Sequence, residues 1–142
     1  MANLIAKAST SIDAPKAKVW RALITPADIT RYMFGTTVTS DFRKGSPITW
    51  KGEWQGKPYE DKGTILEVVP ERTLRYSHFS PLAGLPDKPE NYHKVTIDVT
   101  DDGGRTRVAL SQDGNATEEA KAHSEKNWKM MFDGLKKFVE GG

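Results

Sequence analysis

Three side chains in this sequence are the natural candidates for acid–base work near neutral pH: His78, His93 and His123. Two of them frame a proline-rich loop, with His78 just before residues 80–91 and His93 just after. If strands flank that loop, their alternation turns both imidazoles inward and sets Gln112 beside His93. A few polar groups at the mouth of an apolar cavity have the makeup of a small-molecule site, where they orient a largely apolar ligand. The same residues also fit a plain rim, bonded to water or to the loop. They do not make a metal site, because two imidazoles without a neighbouring carboxylate fall short of a zinc ligand set.

Other patterns narrow the chemistry further. Trp50, Trp54, Tyr76 and Trp128 are large aromatics at strand and helix spacing, suited either to a core or to a ligand cavity. Gly52, Gly56 and Lys57 fall one residue short of a phosphate-binding loop and lack the Ser or Thr that should follow. No Gly-x-Ser-x-Gly elbow is present. The carboxylates Glu53, Glu60 and Asp61 read as a solvated strand edge rather than a hydrolytic pair. No catalytic residue, metal or cofactor is therefore assigned.

The chain that must position these groups has 142 residues, which fits one domain over 1–142. A chain of that length buries roughly 68–70% of its unfolded surface and needs no covalent staples. It has no cysteine, which removes disulfides and thiolate chemistry. Its 21 basic and 19 acidic residues are interspersed, for a net charge of +2, so no basic patch marks a nucleic-acid partner. Residues 1–10 show neither a basic n-region nor an apolar h-region, and no stretch approaches the ~18 apolar residues of a membrane span. The expectation is a cytoplasmic protein. Asn115-Ala116-Thr117 then reads as a turn rather than a glycosylated site.

Apolar periodicity places a first strand at 4–12, then two short helices at 16–24 and 26–32. In the first helix Val19, Trp20 and Leu23 share a buried stripe, Asp13 is the expected cap and Pro15 suits the first turn. Further strands read at 37–40, 48–55, 59–69, 73–79, 92–100 and 105–112. Asp102-Gly103 is a hairpin signal, since both central residues of a type I′ turn need positive φ. A turn there sets Val99 opposite Thr106, Ile97 opposite Val108, Val95 opposite Leu110 and His93 opposite Gln112. A long helix starts near Asn115 or Thr117. On it Trp128, Met131, Phe132, Leu135 and Val139 form one apolar face, while Glu118 and Glu119 suit its positive end. The order describes a curved antiparallel sheet gripping a C-terminal helix.

On these residues the chain resembles the START-like (SRPBCC) helix-grip superfamily, in the branch named after the C-terminal domain of the heat-shock chaperone ATPase activator. The resemblance rests on Ile12-x-Ala14-Pro15-x-x-x-Val19-Trp20-x-Ala22-Leu23, on Pro26, and on Gly63-x-Ile65 through Pro70 to Leu74-x-Tyr76. It continues through Thr106-x-Val108-x-Leu110 to Trp128 and Leu135. It implies an α+β fold, with a sheet of six to seven strands around the long last helix and two short helices after strand 1. It also implies an elongated apolar cavity between sheet and helix. Where members commonly carry Trp, this chain has Met33-Phe34 and His78.

The expected cavity lining is Phe34, Trp50, Trp54, Leu66, Tyr76, His78, His93, Gln112, Trp128, Met131 and Leu135. The expected function is binding of a small apolar or aromatic molecule. A second expectation, implied by the superfamily's polyketide cyclases, is an enzyme with His78 or His93 as base and Tyr76 as acid. A third is a chaperone-interaction protein, ranked lower because the co-chaperone carries a further N-terminal domain. A homodimer is compatible with all three.

Overall fold

The inward and outward alternation of the strands creates one apolar concave face, and the helices pack against it. The computed structural model describes residues 4–33, 35–54, 56–80, 84 and 86–141, without the side chain of Trp54. The strands are β1 (Leu4–Ile12), β2 (Thr37–Thr39), β3 (Pro47–Trp54), β4 (Lys57–Val69), β5 (Thr73–His78), β6 (His93–Asp102) and β7 (Arg105–Asn115). They form one antiparallel sheet in the order β1-β7-β6-β5-β4-β3-β2. Between β1 and β2 lie α1 (Lys16–Ile24) and α2 (Pro26–Tyr32), and the chain closes on α3 (Glu118–Gly141). This is the expected α+β helix-grip arrangement, with seven strands. No helix among the described residues is long and apolar enough to cross a membrane.

The core is the contact between the concave sheet face and α3. Ile12, Ile65, Leu74, Val95 and Val108 meet Phe132, Leu135 and Val139, all essentially without solvent exposure. Truncating Phe132 to Ala is expected to cost about 3–5 kcal/mol, because a rigid sheet collapses poorly onto the gap. The Thr117 hydroxyl caps α3 by accepting the Ala120 N–H at 3.0 Å.

β1 is an edge strand, and α3 occupies its open side with polar side chains. Glu125 accepts the Lys7 N–H at 2.9 Å, Lys136 donates to the Ser11 carbonyl at 2.7 Å, and Glu140 accepts the Asp13 N–H at 2.8 Å. Backbone groups that would otherwise template another chain's strand are thus satisfied internally. The opposite edge, β2, is only three residues long.

Two expectations are corrected. The β6–β7 turn uses Gly103-Gly104, with φ of 57° and 91°, rather than Asp102-Gly103. Both central positions need positive φ, and two glycines adopt it without the steric cost that Asp102 would carry. Val95 therefore faces Gln112, Ile97 faces Leu110 and Val99 faces Val108. The partners shift by two residues, an even number, so every apolar side chain stays on the inner face. Asp13 does not cap α1. The cap position is Pro15 with no side-chain bond, and Asp13 sits two residues too early to reach the first turn.

Candidate ligand site

On β4 the inward residues preceding Ile65 are Gly63, Asp61 and Tyr59, and Asp61 lies opposite Trp50 of β3. Asp61 is therefore no solvated edge residue. Its side chain is 16% exposed and that of His78 is 27% exposed, and Asp61 Oδ2 lies 2.9 Å from His78 Nε2. Asp61 Oδ1 is buried and has no hydrogen-bond partner among the described residues. A buried carboxylate oxygen without a donor carries its desolvation cost uncompensated, about 1–3 kcal/mol or more.

Aromatic rings surround this pair. The indole of Trp50 meets His78 edge-on at 5.0 Å and Tyr76 at 5.3 Å between ring centroids. Burial pushes the Tyr76 phenol well above its ordinary value, so it stays protonated. Opposite His78 on β6, His93 stacks on it at 6.3 Å. The Nδ1 of His93 lies 2.8 Å from the Asp113 carbonyl, an acceptor only, so Nδ1 carries the proton. Gly114, at φ +77°, allows this close packing, since a Cβ there would stand 2.6 Å from that nitrogen. Trp128 of α3 donates its indole N–H to Gln112 Oε1.

Between these groups lies a space of about 80 Å³, lined by Met33, Thr36, Trp50, Tyr59, Asp61, Tyr76, His78 and Trp128. A deeper space of about 30 Å³ shares Met33, Trp50 and Tyr76 with it and reaches Leu23, Phe42 and Met131. The elongated apolar cavity is thus largely occupied by the protein's own side chains. A far larger hollow, about 700 Å³, lies on the other side of the sheet beside β1, lined by Lys7, Ser9, Arg107, Lys126 and Lys129 among others. Among the described residues its lining also includes Asp98 and Glu125 but holds no aromatic or imidazole group.

The eleven expected lining residues separate accordingly. Trp50, Tyr76, His78 and Trp128 line the space of about 80 Å³, and Met131 lines the deeper one of about 30 Å³. His93 and Gln112 stand behind that lining, touching His78 and Trp128 respectively. Leu135 is fully buried in the core and lines neither space. Leu66 is corrected: a register shift between Ile65 and Glu67 accompanies its placement on the convex face, beside Ile5, Arg75 and Thr96. Phe34 and the Trp54 side chain lie outside the described residues. Asp61, Tyr59 and Thr36 were not anticipated. Counting back in twos from Ile65 would have found Asp61 and Tyr59, whereas Thr36 lies in a loop where no alternation applies. No group of three or more metal-binding side chains occurs among the described residues.

Comparison with known proteins agrees with the fold. ChR145 from Cytophaga hutchinsonii has a solution structure that superposes with a TM-score of 0.85 at 58% sequence identity, covering 97% of this chain and 94% of that one. CalU16 from Micromonospora echinospora gives a TM-score of 0.70 at 23% identity, over 98% and 87% of the two chains. The Aha1 dimer from Colwellia psychrerythraea gives 0.72 at 19% identity, over 99% and 97%. The last two are alike in fold alone. No curated protein matches. Residues 13–140, from the end of β1 almost to the end of α3, match the family of Activator of Hsp90 ATPase homolog 1-like proteins, and this chain is a START-like, helix-grip member of that family.

Proposed function

We infer that this chain is a small-molecule binding domain. Its ligand places an aromatic or compact apolar body between Trp50, Tyr76 and Trp128 and donates a hydrogen bond to Asp61. The supporting observation is the buried, unpartnered Oδ1 of Asp61 at the edge of an aromatic-lined space. A donor on the ligand would supply the missing partner. The space of about 80 Å³ favours a group of few atoms over a long lipid tail.

A thermal-shift and NMR screen of small aromatic and aliphatic compounds, with and without donor groups, tests this. A compound at 100 times its Kd should add about 2.7 kcal/mol of stability. Donor-bearing compounds should perturb the Trp50, His78 and Trp128 resonances. If compounds of that size leave all three unmoved, the site is not a ligand site.

A second function, acid–base catalysis on such a ligand, is favoured by the Asp61–His78 contact. With Nε2–H of a neutral His78 donating to Asp61, Nδ1 carries the lone pair that a general base uses. A positioned base contributes about 10²–10⁴-fold. His78→Asn should then remove turnover of a cyclisable or enolisable substrate while leaving ligand affinity within severalfold. Equal turnover in the variant would rule out this role.

A further inference from the structure

The charge balance of the pocket narrows the class of molecule it takes. Among the described residues its lining holds one carboxylate, Asp61, and neither Lys nor Arg. Around that carboxylate stand Trp50, Tyr59, Tyr76 and Trp128. Aromatic rings attract cations through the negative potential of their faces, most strongly where water is excluded. His78 reaches only Oδ2, at 2.9 Å, and leaves Oδ1 buried without a partner among the described residues. The Tyr59 hydroxyl is engaged with the Thr36 hydroxyl at 2.8 Å, so it is committed to shaping the wall. What Oδ1 lacks, among the described residues, is a donor.

We propose that the pocket recognises an organic ammonium head group, with Asp61 as its counter-ion and the four aromatic side chains as its walls. The proposal rests on the ligand site inferred above. A primary ammonium donates directly to Oδ1, which a neutral isostere does more weakly because its hydrogen bond carries no charge. The space of about 80 Å³ suits a head group of a few heavy atoms, and the deeper space of about 30 Å³ admits no extended chain behind it. Any longer part of the ligand therefore remains outside.

The test compares tert-butylammonium chloride with tert-butanol, two probes of nearly the same shape, at matched ionic strength in an NMR titration of the intact protein. The expected result is a Kd for the ammonium at least tenfold lower than for the alcohol, with shifts at Trp50, Tyr76 and His78. In Asp61→Asn the two Kd values should converge. If Asp61→Asn does not fold, Trp128→Leu leaves the carboxylate in place and removes one wall, and should weaken ammonium binding severalfold. Equal affinity for both probes in the wild type overturns the ammonium preference while the ligand site stands. Absence of binding by either probe, together with a silent compound screen, overturns both.

Discussion

The backbone of Gly63 runs so close to that of Ser77 that a Cβ built at position 63 would stand 1.8 Å from the Ser77 carbonyl oxygen. This approach joins β4 to β5 at the site: Lys62 and Phe79 exchange backbone hydrogen bonds of 2.8 and 3.0 Å on the next residues. Asp61 and His78 flank the contact and are thereby brought within hydrogen-bond distance. Gly63→Ala cannot be absorbed by a flexible side chain, since the obstacle is main chain. The expected loss is about 2 kcal/mol or more in urea unfolding, with the Asp61–His78 contact broken. A loss under about 0.5 kcal/mol would show that β4 can slide without consequence.

Gln112 and Trp128 act as a pair. Gln112 is a buried polar side chain whose Oε1 accepts the Trp128 indole N–H. Gln112→Leu leaves that N–H without its partner and should cost about 1–3 kcal/mol. Trp128→Phe removes the donor and strands the amide instead. The double variant should recover about 1 kcal/mol relative to the sum of the singles. Strict additivity in a denaturation cycle would mean that the bond does not contribute.

Glu140 ties the end of α3 to the end of β1, and its carboxyl is held below its ordinary 4.5, first by the Asp13 N–H and then by the Lys136 ammonium. A carboxylate whose pKa is depressed on folding adds stability above its unfolded pKa and loses it as pH falls through the folded value. Wild type should therefore be more stable than Glu140→Gln at neutral pH, and the gap should close as pH falls below the ordinary 4.5. A pH-independent gap would assign the effect to packing rather than to charge.

Glu125 shields the exposed side of β1 at a single amide. In Glu125→Ala the Lys7 N–H loses the acceptor it has at 2.9 Å. Hydrogen exchange of the Lys7 amide should accelerate several-fold, while amides deeper in β7 keep their protection. Unchanged exchange at Lys7 would show that another group closes this edge.

Legibility differed between elements for physical reasons. The strands, the helices and the apolar face of α3 were readable because burial imposes periods of 2 and 3.6 on the side chains themselves. The β6–β7 hairpin was readable to its face but not to its register, because Asp102, Gly103 and Gly104 offer two overlapping turns of the same parity. Leu66 was misplaced because it follows the inward Ile65 directly, and alternation turns the next residue to the convex face.

The histidines drew attention from the sequence, yet their working partner did not. Asp61 and His78 are 17 residues apart, and neither spacing nor composition relates them. Residue order alone determined a helix-grip domain with aromatics and imidazoles on its concave side, since local patterning encodes which face each residue takes. The pairing of Asp61 with His78, the unpartnered Oδ1 and the near-filled interior were decided only by tertiary structure. Each depends on how closely separate strands and the last helix approach one another, and that distance is set by the packing of all their side chains at once.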